Sequence, residues 1–384
     1  METSLSSKLQ KESALPVLCR VAETASGHRI GFAQLNAEKA LNALSLQMIR
    51  LLDTQLSAWD KDDSIACVVL HGAGEKAFCA GADIRALYRA MHEHPGAADN
   101  PQALAFFSEE YRLDYRIHTY SKPILVWGGG IVMGGGLGLF AGASHRIVTE
   151  TSRVAMPEIS IGLFPDVGGS WFLRRMPGNL GLFVSLTGAP LNGRDALFAG
   201  LADHLVPSAE RQSVFERLST APWQAAANSR AVLSALLSEI SGAQVTAPDS
   251  NVERHAATIE ALCTGATLKQ LLDAISGYAG EDAWLKRGAA TLKAGSPTTA
   301  ALIWELKQRA QELSLPDVLR LELIVALQCC AHPDFAEGVR ALLIDKDNTP
   351  RWTPGTLADV TPNWVEGHFV APAWPLGVSP LADL

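Results

Sequence analysis

The segment Pro123–Ser144 carries no charged residue over 22 positions, and eight of those positions are glycine. Its length would span a bilayer, but a helix so rich in glycine and opened by proline is a poor one. The better reading is a buried strand, a tight turn and a short helix packed inside a protein. The neighbouring sequence agrees. Val17–Glu23 and Arg29–Leu35 read as two strands of a hairpin around Gly27. Leu44, Met48, Leu51, Leu52, Leu56 and Trp59 recur at helical spacing. Residues 64–71 (SIACVVLH), 123–127 (PILVW) and 145–149 (HRIVT) read as buried strands, with helices at 102–118 and 134–142 between them. Strand–helix–strand alternation requires parallel pairing, so the fold class predicted is α/β.

After about Pro207 the strand signals fade. Helical stretches follow at 208–240, 252–276, 297–312 and 316–330, the last with Ser314 as cap and Pro316 in its first turn. From Asp345 the chain is rich in Pro and Trp and reads as irregular. The division expected is a polar tail (1–15), a core carrying the active site (16–207) and a mainly helical C-terminal region (208–384).

Composition removes several function classes. Of 384 residues, 48% are apolar and 19% charged, enough for a large core. A net charge of −8 without a dense Lys/Arg run argues against nucleic acid as a partner, and no membrane partner is expected. Six cysteines at 19, 67, 79, 263, 329 and 330 show no CxxC, and the ten histidines show no HExxH. Reduced thiols and no metal site are expected. Residues 1–15 lack an apolar stretch and include Glu2 and Glu12, which speaks against a targeting segment. With the reduced thiols this points to the cytoplasm.

Three glycine-rich places can carry chemistry: Phe78–Asp83, Gly134–Gly136, and Gly162–Gly169 within PEISIGLFPDVGG. Glycine-rich loops between strands and helices leave backbone N–H groups free, and such groups hold an oxyanion. Ala82, at the entry to a helix over 82–90, and Gly135 are the candidate donors. The alternative is that these glycines only permit tight turns. The third place adds Glu158 and Asp166, two carboxylates in apolar surroundings that could divide acid and base roles. Asp166 could equally cap a helix over 167–175. Residues 136–141 also match GxGxxA with Glu158 twenty positions beyond Gly138, a dinucleotide-like spacing that keeps an NAD-dependent oxidoreductase in view. There is no GxxxxGK[ST] and no GxSxG.

At these residues the chain resembles the crotonase (enoyl-CoA hydratase/isomerase) superfamily, and within it the 3-hydroxyisobutyryl-CoA hydrolase branch. The segments that carry the resemblance are KAFCAGADIR (76–85), FFSEEYRL (106–113), KPILVWGGGIVMGGGLGL (122–139), AMPEISIGLFPDVGGSWFL (155–173), LTGAPLNGRDALFAGLADHLV (186–206) and DFAEGVRALLIDKDNTPRW (334–352).

The resemblance implies a spiral ββα core with a helical C-terminal region and a thioester hydrolase of branched-chain (valine) breakdown. It implies oxyanion donors at Ala82 and Gly135, and catalytic carboxylates at Glu158 and Asp166. Substrate contacts would come from Glu110, Gly134 and Gly136, and backbone contacts to coenzyme A from Ala80, Asp83 and Ile84. The partner implied is an acyl-CoA. Coenzyme A enters with the substrate, so no resident cofactor is expected. Hydratases of the superfamily resemble one another in carrying a second catalytic Glu where this chain has Gly138, and a Gly where it has Asp166. An enoyl-CoA hydratase or isomerase, and a non-catalytic acyl-CoA-binding protein, stay as alternatives. Glu110 has a second reading, a salt bridge with Arg112 or Arg116. Arg85, Lys122 and Lys346 are candidates for the coenzyme's phosphates, with ordinary surface charge as the other reading. Trp127 and Trp171 read as packing residues. Self-association into a homo-oligomer is left open.

Overall fold

The computed structural model describes residues 15–223, 228–241 and 245–384. All but Leu15 of the polar tail, and residues 224–227 of the helical stretch 208–240, lie outside the described residues. In chain order the strands are β1 (Val17–Glu23), β2 (Arg29–Leu35), β3 (Ile65–Gly72), β4 (Ala77–Cys79), β5 (Ile124–Gly128), β6 (Ile131–Met133), β7 (His145–Val148), β8 (Arg153–Ala155) and β9 (His204–Leu205). Six form one sheet in the order β1-β2-β3-β5-β7-β9, and three form another in the order β4-β6-β8. The β1–β2 hairpin is antiparallel, Val17 opposite Leu35 and Glu23 opposite Arg29, and every other pairing is parallel.

From β3 onward the chain repeats one pattern. A long strand in the large sheet is followed by a three-residue strand in the small one. That is the ββα spiral the resemblance implied. β3 reads IACVVLHG and is buried at all but one position, as a parallel strand covered on both faces must be. The short strands escaped the sequence reading because three residues cannot establish a period of two.

The helices near the site are α1 (Leu46–Asp60), α2 (Ile84–Glu93), α3 (Pro101–His118), α4 (Gly135–Ala141) and α5 (Gly169–Phe172). α6 (Leu180–Thr187) and α7 (Gly193–Phe198) lead into β9. The stretch read as one helix over 208–240 holds α8 (Arg211–Thr220) and α9 (Ser229–Ser241). The stretch 252–276 divides into α10 (Asn251–Leu262) and α11 (Leu268–Ser276), since Thr267 caps a new helix through Gln270 N–H. α12 (Ala283–Ala294), missed in the sequence, precedes α13 (Pro297–Arg309) and α14 (Leu315–Ala331). α14 begins as expected, Ser314 accepting from Asp317 N–H with Pro316 in the first turn. α15 (Pro333–Val339) runs into a π turn, Arg340–Ile344, and the largely irregular tail still forms α16 (Pro362–Gly367).

The large sheet divides the core in two. Phe32, Cys67, Val69, Leu125, Trp127 and Ile147 face α8 and α9 through Val214, Phe215, Leu218, Leu233 and Leu237. The other face, with Ala33, Leu35, Val68, Leu70 and Val126, packs on α1, α3 and the remaining helices. The site lies on that second side.

Candidate active site

The three small-sheet strands end together. β4 pairs with β6 through Cys79–Val132, and β6 with β8 through Met133–Ala155. Their carboxyl ends therefore deliver Ala82, Gly135 and Glu158 to one place, as open parallel sheets deliver ligand sites. Ala82 does not begin a helix: α2 starts at Ile84, and Asp83 caps it by accepting from Ala86 N–H. Ala82 sits in the bridge to Leu44 instead. The point where a Cβ on Gly135 would stand lies 3.6 Å from Ala82 N. Among the described residues neither Ala82 N–H nor Gly135 N–H donates to a protein acceptor. The glycines also do more than turn the chain. Gly134 has φ 49°, ψ −126°, which only glycine adopts easily. Its missing Cβ would stand 3.0 Å from Glu158 Oε1 and 3.7 Å from Gly81 Cα.

Glu158 opens a one-turn 3₁₀ helix, Glu158–Ile161, that Gly162 ends at φ 75°. The C-terminal segment holds this turn. Gly338 and the Asp334 backbone press against Ile161 and Gly162, and Asp334 is fixed by Ser296 Oγ–H (2.6 Å) and Thr353 N–H (2.7 Å). Burial and then the charge of Asp166 hold Glu158 well above the ordinary carboxylate range.

Asp166 is no helix cap. Its side chain turns inward, is buried, and accepts a hydrogen bond from Tyr111 O–H at 2.6 Å. Val167 follows at φ 53°, an uncommon conformation for a β-branched residue. The helix after it is only Gly169–Phe172, with a 3₁₀ turn over Leu173–Arg175. Its capping acid comes from far away. Glu322 on α14, fully buried, accepts from Gly168 N–H at 2.7 Å and Ser170 N–H at 2.8 Å. Burial pushes Asp166 up to about 6, with the Tyr111 bond pulling the other way. Burial pushes Glu322 up to about 8.

Among the described residues Glu110 forms no salt bridge. Arg112 pairs with Asp383 and Arg116 with Asp53. Glu110 is 1% exposed, with Oε1 against Gly135 and without a hydrogen-bond partner. Burial, then Asp166, Asp114 and Glu158, raise it well above the ordinary value. A raised proton affinity favours the neutral form, which does not repel an oxyanion formed nearby. Tyr111, Asp114 and Glu322 were missed in the sequence. Asp114 stands one helical turn from Glu110, so the shared face was the available signal. Glu322 showed itself only as an acid flanked by apolar residues in α14. Among the described residues no three His, Cys, Asp or Glu side chains are arranged to hold a metal ion.

Other candidates divide. The N–H groups of Ala80, Asp83 and Ile84 are committed to the carbonyls of Leu41, Leu44 and Ala82. Contacts with coenzyme A at these residues would have to use other atoms. Lys122 is buried and donates to Trp59 O and Asp62 O, so it is structural. Arg85 reaches Leu343 O in the π turn that leads to Lys346. The GxGxxA glycines lie inside α4. A Cβ on Gly138 would meet Val167 Cβ at 2.7 Å and both Asp114 oxygens at 3.0 Å, leaving no seat for a pyrophosphate. Trp127 packs in the large-sheet core, and Trp171 lies under Arg174 and Arg175.

The family model described as "Enoyl-CoA hydratase/isomerase" matches residues 30–369. The 3-hydroxyisobutyryl-CoA hydrolase, mitochondrial, of Danio rerio is 40% identical over 341 residues, covering 89% of this chain and 87% of that protein. The Homo sapiens protein of the same name is 37% identical over 344 residues, covering 88% and 86%. Among solved structures, a carnitinyl-CoA dehydratase from Mycobacterium thermoresistibile superposes with a TM-score of 0.80 at 36% identity, covering 93% of this chain and 97% of that one. An enoyl-CoA hydratase from Rhodobacter sphaeroides 2.4.1 gives 0.79 at 33% identity, with the same coverage. The mitochondrial names of the relatives correct the expectation of a cytoplasmic protein. The argument from cysteines was too weak: a sparse set of cysteines without CxxC does not choose between compartments. Among the described residues no helix is long and apolar enough to cross a membrane.

Proposed function

The chain belongs to the enoyl-CoA hydratase/isomerase family, and from that premise we propose that it hydrolyses the thioester of 3-hydroxyisobutyryl-CoA. The observation that carries the reading is one juxtaposition. Two N–H groups without an acceptor among the described residues, at Ala82 and Gly135, stand beside the buried carboxyl of Glu158, whose proton affinity the charge of buried Asp166 raises, in a chain similar over most of its length to 3-hydroxyisobutyryl-CoA hydrolases.

The thioester carbonyl oxygen enters between Ala82 N–H and Gly135 N–H, which stabilise the negative charge that develops there. The Gly135 donor also sits at the N-terminus of α4. Glu158 attacks the carbonyl carbon, forming an anhydride that water then opens, or it takes the proton from an attacking water. Either route uses Glu158 in its ionised form, and the raised proton affinity of that carboxyl makes it a strong base once ionised. Asp166, held by Tyr111, orients the substrate hydroxyl or the water. Glu110, with its raised proton affinity, closes the site beside Gly135. Coenzyme A leaves as a thiolate and takes up a proton. No resident cofactor enters this scheme.

Hydration of an enoyl-CoA is the second reading, because the solved relatives carry dehydratase and hydratase titles. Against it, Val167 and Asp114 fill the space where a side chain at 138 would begin. Thiol release from 3-hydroxyisobutyryl-CoA, 3-hydroxypropionyl-CoA and crotonyl-CoA separates the two. Free coenzyme A from the first two, with crotonyl-CoA untouched, is expected. Loss of crotonyl absorbance without thiol release would overturn the hydrolase reading.

A further inference from the structure

A cavity of about 180 Å³ opens one turn along α4 from Gly135. Ala82, Gly135, Glu158 and Asp166 do not line it, so no step of the hydrolysis uses it. Three kinds of wall meet there. Asp114 and Gly138 form one part. Asp114 is 5% exposed, neither of its carboxyl oxygens has a hydrogen-bond partner among the described residues, and a Cβ on Gly138 would stand 3.0 Å from both. The carboxyl therefore turns toward the glycine that opens the wall. Val167, Leu319 and Trp171 make an apolar part. Arg146 and Arg175 supply positive charge. Asp203 holds Arg146 through two hydrogen bonds of 2.7 and 2.9 Å. Arg175 lies over the Trp171 ring at 3.3 Å, donates to Trp171 O, and pairs with no carboxylate among the described residues.

Each wall asks for one feature of a ligand. A carboxyl oxygen accepts a hydrogen bond in either protonation state, so Asp114 takes a hydroxyl or ammonium donor. Left bare, such a buried polar group costs free energy. Arg175 takes a carboxylate. The apolar wall takes a short branched carbon chain. A cavity of about 150 Å³ holds benzene, so this one admits a small branched acid and excludes a coenzyme. We propose that the cavity is a second binding site, for a short carboxylate that carries a hydroxyl, and that its occupant is the 3-hydroxyisobutyrate released by turnover. The chemistry of the site stands on its own walls, and naming the product as its occupant rests on the hydrolase reading. The acid can then stay bound while a new acyl-CoA occupies the site beside Ala82 and Gly135.

Calorimetric titration of the protein saturated with an unreactive acyl-CoA analogue tests this, since the analogue fills the catalytic site. 3-Hydroxyisobutyrate is expected to bind to that complex. Isobutyrate, without the hydroxyl, should bind about five- to tenfold more weakly, the worth of one buried hydrogen bond. Asp114→Ala and Arg175→Gln should each weaken binding of the hydroxy acid by a similar factor. Arg175 is exposed, so its variant reads the site where Asp114→Ala disturbs the core. No binding to the complex at tens of millimolar overturns the site, as does equal affinity for isobutyrate or unchanged affinity in both variants. Tighter binding of 3-aminoisobutyrate overturns the product as occupant and assigns an amino acid. Absence of thiol release by the unaltered chain, with these affinities as expected, overturns the hydrolase reading and leaves a site for hydroxy acids.

Discussion

Tyr111 donates its phenolic hydrogen to Asp166 Oδ2 at 2.6 Å, in a spot from which solvent is excluded on both sides. The bond favours ionised Asp166 against the burial that pushes its carboxyl up to about 6. Tyr111→Phe removes that support, so Asp166 keeps its proton to a higher pH. The acid limb of the kcat/KM profile should therefore move toward neutrality, with most activity kept at pH 8.5 and lost first near pH 6. An unmoved limb would show that Asp166 does not set it.

Glu158→Gln removes the nucleophile or base and leaves the Ala82 and Gly135 donors in place. Turnover should fall by about 10²–10⁴-fold, the range for general acid–base groups, while calorimetric titration with an unreactive acyl-CoA analogue shows near-unchanged affinity. Near-normal turnover would remove Glu158 from the mechanism.

Burial and three neighbouring acids raise the proton affinity of Glu110 and favour its neutral form, so the neutral isostere Glu110→Gln should keep kcat within about threefold. Glu110→Ala opens a void against Gly135 and should lose far more. Collapse of the glutamine variant in the thiol-release assay would mean that Glu110 works in its ionised form.

Glu322→Ala strands two N–H groups, Gly168 and Ser170, and should cost about 2–6 kcal/mol at about 1–3 kcal/mol for each unsatisfied group. Denaturant unfolding measures it. Because these groups position the turn after Asp166, kcat should fall as well, at a temperature where the variant is still folded.

Stability should decline as pH rises from about 7 to 8. Asp166 and Glu322 have folded-state values of about 6 and about 8, above their ordinary ones, and burial raises Glu110 and Asp114 as well. Through these acids the folded chain binds more protons than the unfolded one, so they make the free energy of unfolding fall with pH, while the buried His71, His145 and His368, lowered to about 4, act in the opposite sense below about pH 7. Calorimetric midpoints at pH 5.5, 6.5, 7.5 and 8.5 test this, and Asp114→Asn should flatten the slope.

Much of the architecture was legible in the sequence because its signals are local. Apolar runs marked β3, β5 and β7, and glycine clusters marked the turns that carry Ala82 and Gly135. Polar caps marked helix starts such as Ser314. Glu158 and Asp166 stood out as acids in apolar surroundings. What only the tertiary structure decided depends on contacts remote in the chain. The strands Ala77–Cys79, Ile131–Met133 and Arg153–Ala155 are too short to carry a period, and they form because each finds its neighbour. Whether Asp166 capped a helix or faced inward was settled by Glu322, 156 positions away, which already satisfies the N–H groups that Asp166 would have capped. Burial then decided which acids hold their protons more tightly, since proton affinity depends on the solvent and charges around a group and not on its place in the sequence.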